Sequence, residues 1–120
     1  MTTHNFKMLI YPVMLETSAT VLLYKENTNG IQIHNIITHN TSESLSGKVQ
    51  IYLVPNVSGN IGTAGLENEI ASLSIEPEDA IFLTFPGSEA LVLNDINDSI
   101  QAKANNNDQI TFCIKGDEIA

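Results

Sequence analysis

Apolar and polar residues alternate most regularly in Val49-Gln50-Ile51-Tyr52-Leu53-Val54, where the odd positions are all apolar and the even ones run Gln, Tyr, Val. That period of two marks a half-buried strand, one face of which packs against a core. On the preceding β-branched segment Ile31, Ile33 and Ile37 share a parity, and the residues between, Asn40 to Lys48, are rich in Thr, Ser, Asn and Gly. The stretch from Ile31 to Pro55 therefore predicts an antiparallel hairpin at the centre of a sheet.

Shorter patterns surround it. Residues 1–5 read as a loose end, and Phe6 to Tyr11 as a strand that Pro12 terminates by removing a ladder donor. Residues 1–19 are thus expected to be an N-terminal arm on a neighbouring subunit or an edge strand, and residues 20–120 the main domain. Thr20 to Tyr24 is a short β-rich run, and Asn29-Gly30 is the dipeptide best suited to positive φ in a turn. Beyond Pro55, glycines at 59, 62 and 65 predict a long flexible loop of the kind that often carries contacts. Ala71, Leu73 and Ile75 alternate as a strand, and Glu76-Pro77-Glu78-Asp79 places Pro where a type I turn favours it. Ile81, Leu83 and Phe85 share one face of the next strand, with Phe82 on the other, before a Pro86-Gly87 turn.

Leu91 to Leu93 is a short apolar run, followed by a turn over Asn94 to Asp98. Ile100, Ala102 and Ala104 then face one way, and Asn105 to Asp108 is expected to close a hairpin into a last strand with Ile110, Phe112 and Ile114 inward. Turn signals recur about every eight to twelve residues, with hardly any helical periodicity. The reading is an all-β chain, an antiparallel β-sandwich of jelly-roll type with about eight strands.

Several apolar residues oppose the core parity: Ile36, Tyr52, Val54 and Phe82. Two explanations stand side by side. Subunit contact would remove such residues from water, or a bulge near Asn35 and the sandwich corners would return them to the core. With the apolar positions Phe6, Met8 and Ile10 of the N-terminal segment, they make up the candidate interface.

Length and charge narrow the functional classes. A chain of 120 residues forms one domain and buries about two thirds of the surface it exposes when unfolded. Fourteen acids against five bases give a net charge of −9, and there is no Arg. Phosphate binding needs cations to displace counterions, so no nucleic-acid partner is expected. No run of apolar residues is long enough for a membrane-spanning helix, and acidity disfavours adhesion to membranes. The N-terminus has the pattern of neither a signal nor a transit peptide. The single Cys113 excludes an internal disulfide and fits cytoplasmic synthesis. It sits opposite Ile110, Phe112 and Ile114, on the face expected to be less buried.

Candidate chemistry is sparse. Among His4, His34 and His39, the last two differ in parity and are expected on opposite faces, unable to share a metal. Asn94 to Asp98 and Asn105 to Asp108 offer oxygens of the type calcium takes, but not at EF-hand spacing, and Asx-rich turns ordinarily cap their own backbone. Glu67 with Glu69, and Glu76 with Glu78 and Asp79, read as solvated turn acids. There is no nucleophile elbow or phosphate-binding loop, and Cys113 has no nucleophile context. No catalytic residue, metal site or cofactor is expected, and the chain is read as not an enzyme.

The order of short motifs adds a resemblance. His39-Asn40-Thr41-Ser42, then Val49-Gln50-Ile51-Tyr52-Leu53-Val54-Pro55, a Gly-rich loop, Leu73-Ser74-Ile75-Glu76-Pro77, Asn97-Asp98-Ser99-Ile100-Gln101-Ala102-Lys103-Ala104 and Ile114-Lys115-Gly116 follow one another. In that order they resemble the small β-sandwich virion structural proteins of tailed bacteriophages, over roughly residues 20 to 119. Asn97 stands where that family often has Gly. The resemblance implies a non-enzymatic role in the virion, as a capsid decoration, head-fibre or other head or tail accessory component, made in the host cytoplasm. It also implies other virion proteins as partners and a homo-oligomer, with a trimer as the hypothesis. The alternative is a carbohydrate-binding sandwich used in host attachment. Sugar sites want exposed aromatic rings, and here Trp is absent and only Tyr11, Tyr24 and Tyr52 accompany the phenylalanines.

Overall fold

A computed structural model describes residues 4–86 and 90–119, among which there are nine strands and one short 3-10 turn. The strands are β1 (His4–Met14), β2 (Thr20–Tyr24), β3 (Gly30–Asn40), β4 (Gly47–Val54), β5 (Glu69–Ile75), β6 (Ala80–Thr84), β7 (Leu91–Leu93), β8 (Ser99–Ala104) and β9 (Ile110–Ile119). They form two antiparallel sheets. A five-stranded sheet runs β1-β9-β3-β6, with β7 also on β3, and a four-stranded sheet runs β2-β8-β4-β5. β6 and β7 pair with successive halves of β3, so two short strands share one edge. This order is that of a jelly roll, the double Greek key in which two sheets wrap one core.

The two expected hairpins are not hairpins. β3 and β4 lie in different sheets, as do β8 and β9, so residues 41–46 and 105–109 carry the chain across the sandwich. Only β4 and β5 are both consecutive and directly paired within the four-stranded sheet. Alternation specifies which face of a strand is buried and says nothing about which neighbour it pairs with. Asn29 and Gly30 likewise end a crossing between β2 and β3, and neither has positive φ. The turn at Pro86-Gly87 lies partly outside the described residues.

β3 departs most from simple alternation. Its register with β9 slips between Ile33 and Asn35, leaving His34 as an extra residue. Ile31 and Ile33 face the core before the slip, and Ile36, Thr38 and Asn40 after it, all buried, while Ile37 points outward and is half-buried. Of the two explanations for Ile36, the bulge therefore holds: this residue is fully buried in the core and is no surface position. Gly116 sits opposite Ile33, where an added Cβ would strike the Gln32 carbonyl and the Leu9 side chain.

β1 continues past Pro12, and His4 and Asn5, expected to be loose, are part of it. Register slips between Met8 and Ile10 and between Ile10 and Val13 absorb the proline, which is tolerated because β1 is an edge strand. Ile10 packs against the core. There Ile33, Ile36, Phe112 and Ile114 from one sheet join Val49, Ile51, Ile100 and Ala102 from the other.

The end of the sandwich at residues 41–46 is tied by a buried amide pair. Asn40 Nδ2 donates to the Leu45 carbonyl (2.8 Å) and the Ile75 carbonyl (3.0 Å). Its Oδ1 accepts from the Ser42 N–H (3.0 Å) and from Gln109 Nε2 (3.1 Å). The amide's donors and acceptors are thus occupied, as a buried side chain requires.

The register of β3 has a direct test. Ile36→Ala is expected to lower unfolding free energy by about 2–5 kcal/mol, the range for emptying a packed core site, and Ile37→Ala by distinctly less. Urea denaturation of both variants checks the order, and the reverse order would place the bulge elsewhere.

Candidate interaction surface

The outer face of the five-stranded sheet follows from the strand register. One row across it runs from the Tyr11-Pro12 bulge of β1 through Cys113 and Ile37 to Phe82. The next reads Met8, Lys115, Asn35 and Thr84, and the third Phe6, Asp117, Gln32 and Val92. Phe6 is 72% exposed, Phe82 65% and Tyr11 73%, so large apolar side chains stand in solvent at both edges. Cys113 lies on this face as its parity requires, but it is buried, and burial pushes its thiol pKa up against a partly offsetting pull from Lys115. A buried thiol with a raised pKa is a poor nucleophile.

The β3 bulge shapes the middle of the face. It turns His34 outward beside Phe6, with ring centroids 5.3 Å apart and planes tilted by 39°. His34, Asn35, Phe6, Met8, Lys115 and Gly116 line a pocket of about 360 Å³ together with Lys7. His34 Nε2 is buried and has no hydrogen-bond partner among the described residues. The bulge also corrects the expectation for the histidines: His34 and His39 share this face, but they stand five positions apart, roughly 16 Å along a strand, too far to share a metal. Among the described residues, no three His, Cys, Asp or Glu side chains come together as a metal site.

The outer face of the four-stranded sheet is covered in part by the chain itself, while Lys48, Ser72, Ser74, Ile70 and Val21 on the same face stay exposed. Tyr52 and Val54 of β4 and Ser99 and Gln101 of β8 are buried there, beneath residues 55–65. Gln101 Nε2 donates to the Gly62 carbonyl (2.9 Å), and Asn97 Nδ2 to the Gly59 carbonyl (2.8 Å). A Cβ on Gly62 would lie 2.7 Å from the Pro55 carbonyl oxygen and 3.0 Å from Val54 Cγ1. Gly62 is thus fitted against β4 while residues 57–61 remain exposed, and Tyr52 and Val54 are removed from the candidate interface. Of that set Phe6, Phe82 and the half-buried Met8 remain on one outer face.

Asp98 anchors the cover. Its Oδ1 accepts from the Asn56 N–H (2.8 Å) and from Asn56 Nδ2 (3.0 Å), and its Oδ2 from the Asp95 N–H (3.0 Å). Burial raises the carboxyl pKa, but the backbone donors of Asn56, Asp95 and Asn94 and the Asn56 amide together outweigh it and leave the pKa below its ordinary value. Both oxygens of this turn acid are thus engaged in tying backbone. Asn97 beside it has φ of 70°, the region glycine occupies readily and Asn tolerates.

Between the sheets, near Asn29, lies a polar cleft of about 330 Å³ bordered by Tyr24, Glu26, Asn27, Lys7 and Glu118. Lys7 Nζ is 2.8 Å from Glu118 Oε2, and Asn29 Nδ2 donates to Oε1 at 3.1 Å. The hydrogen bond from Lys7, then that from Asn29 and the Lys7 charge, hold the Glu118 carboxyl below its ordinary pKa. At the opposite end Glu76, Glu78 and Asp79 are exposed acids of a turn.

Because the Asp98 pKa is lower in the folded chain, its contribution to stability is complete above the ordinary carboxyl range near pH 4. It is lost as pH falls through the lowered value. The stability gap between the parent chain and Asp98→Asn is expected to be widest at neutral pH and to close on acidification, as read by denaturant midpoints between pH 7 and 2.5. A gap independent of pH would assign Asp98 no ionic role. No protein-family model matches this chain, and no curated protein matches it.

Proposed function

We propose that the chain is a non-enzymatic structural protein of a phage virion, an accessory component of the head or tail that acts through protein–protein contacts. The observation that carries this reading is the contrast between the two outer faces. One has its Tyr52–Val54 part covered by the chain's own residues 55–65 and is otherwise mostly polar, while the other leaves Phe6 and Phe82 in water among half-buried apolar neighbours. An apolar face of this kind on a sandwich is the mark of a contact surface. The motif order and the jelly-roll topology, which recurs in capsid proteins, support the same assignment by analogy. Other virion proteins and further copies of the chain are the partners in this reading.

A second reading rests on the cleft beside Tyr24, where an aromatic ring 40% exposed stands among Glu26, Asn27 and Lys7. Jelly rolls also serve as lectins, and this mixture is of the type that holds a sugar.

Peptide mass spectrometry of gradient-purified particles of the phage that encodes the chain is expected to find it in stoichiometric amounts. Its absence from particles removes the virion assignment. A saturable signal on a glycan array, lost in Tyr24→Ala, would move the assignment to the second reading.

A further inference from the structure

Charge is distributed unevenly over the sandwich. Residues 15–19, 41–46, 76–79 and 105–109 form the connections at one end, joined by Thr41 N–H to the Gln109 carbonyl (2.8 Å) and Glu78 N–H to the Ser42 carbonyl (3.0 Å). They carry Glu16, Glu43, Glu76, Glu78, Asp79 and Asp108, all exposed, and no lysine. Leu45 stands among them, 59% exposed. The outer face of the five-stranded sheet lacks this excess of acid. Its register positions hold one acid, Asp117, which is buried, and an exposed Lys115 that makes no salt bridge among the described residues.

We propose that copies of this chain associate end to face. The acidic end of one copy docks on the outer face of the five-stranded sheet of the next. A carboxylate enters the pocket of His34, Asn35 and Lys115, and Leu45 rests on the apolar row of Cys113, Ile37 and Phe82. This rests on the reading of that face as a protein contact and names its occupant. The pocket supplies an exposed ammonium, Lys115, beside the Asn35 amide, whose Nδ2 also donates to Thr84 Oγ1 at 3.4 Å, and the ring of His34, whose buried Nε2 has no hydrogen-bond partner among the described residues. Face-to-face pairing of identical copies would instead bring Lys115 toward its own copy and leave the carboxylate-rich end unused. An end-to-face contact is heterologous, so it propagates until rotation closes a ring. Four strands about 4.8 Å apart and some 20 Å of strand length give a contact of roughly 400 Å² per partner, weak for an isolated pair. Closure gives every copy two such contacts.

Two variants of exposed residues separate this from other modes of association: Lys115→Glu spoils the face and Leu45→Asp spoils the end. Light scattering over a wide protein concentration range is expected to show rings of three or more copies for the parent chain and monomers for each variant. At the highest concentrations an equimolar mixture is expected to give dimers and nothing larger, because one intact face and one intact end remain and cannot propagate. The mixture also shows that both variants are folded. A parent chain that stops at two copies or stays monomeric, a variant that keeps the parent mass, or a mixture that stays monomeric overturns the proposal. Any of these results in a chain still found in purified particles overturns the end-to-face contact alone and leaves the virion reading standing.

Discussion

The extra residue at His34 sets the rest of the molecule. Side chains on a strand alternate with period two, so a single inserted residue exchanges the two faces for everything beyond it. In β3 that exchange sends Ile36, Thr38 and Asn40 inward and Ile37 and His39 outward. The core of the sandwich and the row that ends in Phe82 are consequences of the same slip. So is the buried Asn40 amide, which holds residues 41–46 and 105–109 together at the acidic end. Without the slip, Asn40 would face solvent and Ile37 would compete with Ile36 for the core.

Much of this was legible in the chain. β2 and β8 have the bounds their alternation implies, and the inward sets Ala71, Leu73 and Ile75, Ile100, Ala102 and Ala104, and Ile110, Phe112 and Ile114 all pack on the core. The sandwich class follows from those patterns and the spacing of turns. Strand partners were not legible, because Asn40 to Lys48 and Asn105 to Asp108 have the composition of hairpin turns yet cross between sheets. A polar connection tells where a strand stops, while its destination depends on which apolar faces meet in three dimensions. The candidate surface was legible in part. Phe6 and Phe82 are isolated from core parity and remain exposed, whereas Ile36, Tyr52 and Val54 were recovered by a bulge and by a cover formed far along the chain. The only local clue to the bulge was the clash of parity between Ile33 and Ile36.

The two outer faces are treated differently, and the difference is chemical. Over the four-stranded sheet, Gln101, Asn97 and Asp98 present polar groups that match the backbone of residues 56–62, so the cover is fixed by hydrogen bonds and needs little apolar area. Over the five-stranded sheet the apolar positions Cys113, Ile37, Phe82, Met8 and Phe6 interleave with Lys115, Asn35, Thr84, Gln32 and Asp117, and none of the described loops lies across them as residues 55–65 lie over Tyr52 and Val54. What suits such a face is another apolar surface with a few charges placed at its pocket.

Magnitudes limit how strong that contact can be. Fully covering Phe6 and Phe82 contributes about 1.5–3 kcal/mol each. Loss of translational and rotational freedom costs at least about 4 kcal/mol, before any side chains are ordered. The aromatic anchors by themselves therefore yield at best a marginal pair, and the partner must add charge complementarity at Lys115 or repeat the contact through symmetry. A carboxylate in the pocket gains from losing competing water, because His34 Nε2 is already shielded and the Phe6 ring lowers the local polarity. Repetition has the larger effect. Once a copy is held at one interface, its second forms at high effective concentration, so a contact that holds two molecules only at high protein concentration can still hold a closed assembly or a place on a symmetric particle.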